Sequence, residues 1–295
     1  MATNPSYKHF IITLFNLKIW KVDKTQTSTQ TSEWLEKRFA LFESYCIPSI
    51  KNQTCKNFIW LCLLDKDTPE SFRCRIEEYK KEIPQLHACY FSAEEASHYT
   101  DDDNYKRCRF IRDTVRAKLE GEDFVITSNL DNDDAIHQEF VRRVQQEFLS
   151  YPKETLVSFK RGIQYFVSNN AVVRMFYPHN HFLNLIERTN KDFCTVEFYG
   201  HAHARKVLPN IDILEKPYWM EVVHGNNVSN ELRITSRVKY LPQLATFHFS
   251  NYGIQKTLPF VTNLYNFLFC LPRYFFKIAI WRLRKKLGKG QWENT

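Results

Sequence analysis

Three segments of this chain are rich in apolar residues without strict alternation: His9–Ile19, Phe58–Leu64 and Phe124–Leu130. A strand with one wet face alternates apolar and polar residues. These do not, so both of their faces must be covered. The residues between them recur at helical spacing. Trp34, Leu35, Arg38, Phe39, Phe42, Tyr45 and Cys46 form one stripe, with Ser32 placed to cap it, Glu33 in its first turn and Pro48 to end it. Further helices are expected over Glu70–Glu82 and Tyr105–Leu119, with a short strand at His87–Phe91 between them. Strand and helix in alternation, with covered strands, imply an α/β fold with a mostly parallel sheet and helices on both faces.

In such a sheet, ligands bind at the C-terminal ends of the strands. Asp65 and Asp67 follow the second apolar run, and Asp131-Asn132-Asp133-Asp134 follows the run that ends at Leu130. Both groups fall on that edge. Carboxylates at i and i+2 past a strand can reach one divalent ion, Mn²⁺ or Mg²⁺, which accepts hard oxygen ligands and keeps positions open for a diphosphate. A plainer reading also fits: an acidic turn in which Asp134 caps the next helix.

Beyond Ile136 the pattern changes. Ile136, Phe140, Val141, Val144 and Phe148 make one helix face. Thr155–Phe159, Gly162–Val167 and Ala171–Phe176 read as antiparallel strands. His179, His181, His201 and His203 stand in two pairs two residues apart, which suits one face of a strand. They suggest a second metal site, or acids, bases and donors on the acceptor side. Arg107, Arg109 and Arg112 precede the fourth strand on a helix; Arg112 is the candidate to meet a diphosphate, and a solvated face accounts for the others. Tyr218 and Trp219 suit either a sugar face or the core.

The residues from Arg38 to Gln53, the run Phe58-Ile-Trp-Leu, Asp65 and the acidic run resemble the nucleotide-binding half of GT-A glycosyltransferases. More narrowly, they resemble a bacterial rhamnosyl transferase family. The stretch Pro217-Tyr-Trp-Met-Glu-Val-Val-His224-Gly-Asn-Asn-Val-Ser-Asn230 resembles that family's later block. The resemblance implies a metal-dependent transfer of a sugar, with rhamnose the candidate by the family's name, from a nucleotide-sugar donor to a glycan or lipid-linked glycan acceptor. By the same resemblance Asp131, Asp133 and His224 hold the metal. Asp134 stands beside them in the catalytic group. Asp65, Asp131, Asn132 and Arg112 meet the nucleotide sugar. An inverting enzyme also needs a carboxylate base for the acceptor hydroxyl, and Glu197 is the candidate. A catalytically inactive carbohydrate- or membrane-binding protein of the same fold is the alternative. A nucleotidyl transferase would call for a glycine-rich phosphate loop, and a chain with 7 glycines shows none.

Charge decides the remaining expectations. From Leu232 to Trp292 stand eleven of the 41 basic residues and none of the 33 acidic ones, so a body near neutrality carries a basic tail. Aromatic and aliphatic residues interleave with those charges from Phe260 to Leu287. Pro272 and Arg273 interrupt them short of the ~20 residues a membrane span requires. A basic helix lying on an anionic membrane surface fits best; no nucleic-acid module is present. The 8 cysteines form no CxxC pair, and no secretory signal is legible, so a cytoplasmic protein on the inner face of the membrane is expected. The expected organisation is a catalytic domain over residues 1–255 and a basic, aromatic-rich segment over 256–295.

Overall fold

The computed structural model describes residues 5–18, 28–29, 31–92, 103–199, 201–224 and 239–270, with isolated positions beyond. The first strands and helices follow the alternation of the sequence. They are β1 (Tyr7–Leu14), α1 (Ser32–Leu41), α2 (Ile47–Lys51), β2 (Ile59–Asp65), α3 (Glu70–Glu82), β3 (Leu86–Phe91), α4 (Asp103–Arg116) and β4 (Phe124–Asn129). β1 stops at Leu14, short of Ile19. Thr31, not Ser32, caps α1, its hydroxyl accepting from Trp34 N. Pro48 does not end the helix. One π turn, Phe42–Cys46, joins α1 to α2, and Pro48 sits in the first turn of α2, where its missing N–H costs little.

The chain continues through β5 (Ala135–Ile136), α5 (Phe140–Ser150), β6 (Thr155–Phe159), β7 (Arg161–Phe166), β8 (Ala171–Phe176) and β9 (Leu183–Arg188). Then come α6 (His201–Val207), β10 (Asn210–Ile213), β11 (Trp219–Val223), β12 (Lys239–Pro242), β13 (Phe247–His248), β14 (Thr257–Leu258) and α7 (Phe260–Tyr265). Seven strands form a large sheet in the order β10-β6-β9-β4-β1-β2-β3, and five form a second in the order β12-β8-β7-β11-β5. In the large sheet only β9 runs against its neighbours. Thr155–Phe159 is antiparallel to β9, but as β6 it lies between β9 and β10 in the large sheet, apart from β7 and β8. β7 and β8 do pair antiparallel.

The two faces of the large sheet carry separate cores. Ile11, Trp60, Cys62, Leu64 and Ile126 pack with Phe39, Phe72, Ile76, Val144 and Phe148 of α1, α3 and α5. Phe10, Ile12, Leu61, Leu63 and Val125 pack on the other side with Ile111, Val115, Val196 and Ala204. Successive residues of one strand thus enter opposite cores, as strands covered twice require.

A polar chain crosses the buried centre of the sheet. Gln145 Nε2 lies 3.2 Å from His9 Nδ1, His9 Nε2 lies 2.8 Å from Ser128 Oγ, and Ser128 Oγ donates to Asn184 Oδ1 at 2.6 Å. Burial pushes the His9 imidazole down to about 3 from 6.5, so the folded protein keeps it neutral. The unfolded chain binds a proton there below pH 6.5 and the folded one does not, so stability falls with pH through that window. We expect His9 to contribute a loss of about 1.4 kcal/mol per pH unit between about pH 6 and 4. Urea midpoints recorded against pH should show it, and His9→Gln should flatten the slope.

Candidate functional site

The acidic run occupies the turn between β4 and β5, at the C-terminal edge of the large sheet. Asn132 pins this turn by donating to the carbonyls of Leu14 and Phe15, at 3.0 and 2.6 Å, just past β1. Its own Oδ1 is buried without a hydrogen-bond partner. Asn129 Nδ2 steadies the same turn through Asp131 Oδ1 and the His181 carbonyl.

The three carboxylates then part company. Asp134 is 0% exposed. One of its oxygens accepts from Val222 N at 2.8 Å, and the other lies 2.7 Å from His181 Nε2. Asp131, with its side chain 46% exposed, places Oδ2 3.6 Å from that same nitrogen. Asp131, Asp134 and His181 thus offer ligand atoms within 4.8 Å of one another. Asp133 faces elsewhere, 2.8 Å from an Arg38 guanidinium nitrogen and 2.9 Å from His224 Nε2. Asp134 does not cap a helix, since α5 begins only at Phe140 and Asp134 is committed to β11 and His181.

Electrostatics separate the two groups. Burial would raise the Asp133 carboxyl, but the Arg38 charge and the His224 hydrogen bond outweigh it and hold the group well below the usual carboxylate range. Burial alone would lower His181. Its two carboxylate neighbours reverse that and raise it to about 9, so the Asp134–His181 pair retains a proton. A set of two hard oxygen donors and one imidazole suits a Mn²⁺- or Mg²⁺-sized cation, and the orphaned Asn132 Oδ1 adds an acceptor in the same turn.

Glu197 lies on a single 3₁₀ turn, Val196–Phe198, held by Val196 N donating to Thr127 Oγ1 at 2.9 Å. Burial raises its carboxyl to about 7, with Arg107 opposing and Asp131 adding to the shift. The fold therefore brings Glu197 within electrostatic reach of the acidic run. Asp65 ends β2 on the same edge, with Lys18 Nζ 3.1 Å from its Oδ1 and Asp67 N donating to that atom at 2.8 Å. Arg112 pairs with Asp113 at 2.8 Å, and its charge also acts on Asp192. The arginine beside Glu197 is Arg107. Tyr218 and Trp219 are core residues, Trp219 stacked on Phe182 with centroids 5.0 Å apart.

Two residues meet partners that their places in the sequence did not show. His181 read as half of a separate histidine pair, yet it joins the acidic run. His201–Val207 is helical, so the two pairs do not share a strand face. Arg38 read as part of a helix stripe. Its separation from Asp133 gives no local signal, whereas its position among apolar residues was a hint that it needed a buried partner. Because Asp133 and Arg38 are both buried, Arg38→Ala should strand a charge and cost about 3–5 kcal/mol of stability, read as a drop in unfolding free energy. An Asp133→Asn, Arg38→Met double variant should recover most of it.

No curated protein sequence matches the chain. Among solved structures, residues 1–349 of S. aureus TarS in complex with UDP-GlcNAc are similar at 12% identity and a TM-score of 0.44, covering 75% of this chain and 60% of that one. A "putative nucleotide-diphospho-sugar transferase" from Desulfovibrio desulfuricans G20 is similar at 11% identity and a TM-score of 0.35, covering 72% of this chain and 81% of that one. This chain spans 60% of the TarS fragment and 37% of the longer TarS chain. The family described as "Putative rhamnosyl transferase" matches residues 15–236, which include β1's C-terminal loop, the acidic run and the His224 block. The chain belongs to that family of glycosyltransferases.

Proposed function

We propose that the protein transfers a sugar from a nucleotide-sugar donor to a glycan or lipid-linked glycan acceptor, in a GT-A-type domain spanning residues 1–255. The observation that carries this reading is the convergence of Asp131, Asp134 and His181 at the C-terminal edge of a mostly parallel sheet, with Glu197 within electrostatic reach of Asp131. Asp131, Asp134 and His181 would hold a divalent cation, which when bound neutralises the charge that grows on the departing nucleoside diphosphate. Asp133 and His224, expected from the sequence to share that cation, lie 2.9 Å apart, with Arg38 on Asp133, and tie the end of β11 to the acidic run. Asp65 meets the nucleotide from the β2 side, and Asn132 keeps the turn in place.

Glu197 takes the proton of the acceptor hydroxyl as that oxygen bonds to the sugar's anomeric carbon and the bond from that carbon to the diphosphate breaks. A carboxyl raised to about 7 is well matched to that task, because the best base has a pKa near the working pH. Isothermal titration of uridine, thymidine and guanosine diphosphates, with and without Mn²⁺, tests the reading. Asp131→Asn and His181→Ala should each abolish the Mn²⁺-dependent part of the affinity. Equal Mn²⁺ dependence in both variants and the parent would refute the cation site.

The segment 256–295 lies beyond the family match and supplies an acceptor-side docking surface. Phe260, Val261, Tyr265, Leu268 and Phe269 are all exposed, and Arg273, Lys277, Arg282 and Arg284 to Lys286 follow without an acid among them. Among the described residues no helix is long and apolar enough to cross a membrane. Exposed aromatics beside a basic run suit the interface of an anionic bilayer, where each Lys or Arg contributes about 1 kcal/mol. Anionic vesicles should therefore sediment the protein and zwitterionic ones should not. Val261→Asp with Leu268→Asp should release it while nucleotide binding stays intact.

A further inference from the structure

Lys160 and Arg205 take no part in the acidic site, and the fold buries both. Lys160, 5% exposed, directly follows β6, and its ammonium lies 2.7 Å from Asp212 Oδ1 and 3.3 Å from the Pro178 carbonyl. Arg205 on α6 has its side chain 7% exposed. One terminal nitrogen donates to the Ser158 hydroxyl. The other lies 3.8 Å from Asp212 Oδ1, too far for a hydrogen bond, and the Nε–H is buried without a partner. Asp212 is the one carboxylate paired with either cation among the described residues, and its side chain is 48% exposed. Two buried cations thus share one half-exposed anion. Burial is the first cause that lowers both pKa values, and Asp212 only partly offsets it. Charge kept out of water without a full partner is costly, so the pair is poised to take a second anion.

The location says which anion. β9 runs antiparallel to both β4 and β6, and β10 runs parallel to β6, so β4, β6 and β10 end at one edge. Lys160 and Asp212 therefore share the edge that carries Asp131. The carbonyl that holds the Lys160 ammonium belongs to Pro178, three residues before His181. Leu156 of β6 and Ala204 of α6 pack in the same core as Val196, which puts the pair on the face that carries Glu197. Asp65 lies on the far side of the acidic run, on β2.

We infer that Lys160 and Arg205 form an oxyanion subsite for a phosphate or carboxylate group carried by the acceptor. The Lys160 ammonium and the Arg205 Nε–H are its donors, and Asp212 turns toward solvent as the ligand enters. This inference rests on the acidic run being the donor site. Calorimetric titration of inorganic phosphate into the metal-free protein tests it, with Mn²⁺-dependent nucleotide binding measured separately. Lys160→Met and Arg205→Met should each weaken phosphate about tenfold, the loss of one charge-assisted hydrogen bond. Asp212→Asn removes the competing carboxylate and should tighten phosphate several-fold, and nucleotide binding should not move in any variant. Parallel titrations with methyl phosphate and with glucuronate distinguish a phosphorylated acceptor from a carboxylated one. An ordinary structural ion pair predicts the reverse: no phosphate binding to the parent protein, or an Asp212→Asn variant that binds no tighter. Either result overturns the subsite. Loss of nucleotide binding with phosphate binding intact would instead sink the donor-site reading alone.

Discussion

The Asp134 carboxylate is where the two larger sheets of this protein are joined. One oxygen accepts from the backbone of Val222 in β11, and the other meets His181, just before β9 enters the large sheet. β5, immediately after Asp134, pairs with β11 through Ile136↔Trp219 and Ala135↔Met220. A fully buried carboxylate is tolerated only when its oxygens are bonded, and here the bonds reach both sheets. The position of the second sheet relative to the edge of the first therefore depends on an ionisable group inside the functional turn. Stability and site geometry share one residue.

The acidic run divides its charge between two purposes. Asp133 is paired with Arg38 and lies 2.9 Å from His224 Nε2, both built into the fold, and is held ionised in the interior. Asp131 stays half exposed and faces His181. A run of four polar residues thus contains one carboxylate held by Arg38, one that joins the sheets, and one left half exposed beside His181. Fixed partners for the buried members leave the open member preorganised, which is how a site gains electrostatic strength without reorganising when it acts.

The fold was largely legible because apolar periodicity reports on burial. β2, α3 and β8 lie where spacing placed them, within a residue or so. The departures have local causes. Pro48 is harmless in the first turn of a new helix. Thr155–Phe159 carries the same β-favouring residues in either sheet, so its composition could not say which sheet it joins. Within the site, Asp131, Asn132, Asp133 and Asp134 were visible because acids past an apolar strand stand out. His181 and Arg38 were not, because nothing in their neighbourhoods records a contact with residues 47 and 95 positions away.

The sequence by itself determined the class of fold and the edge of the sheet that carries the acids, because both follow from local patterns of burial and charge, and its motifs carried the resemblance to the family. Only the tertiary structure decided which carboxylate meets which partner. Hydrogen-bond partners are set by the crossing of strands far apart in the chain. It is the arrival of β11 at Asp134, of α1 at Asp133, and of the turn before β9 at Asp131 that assigns each its role.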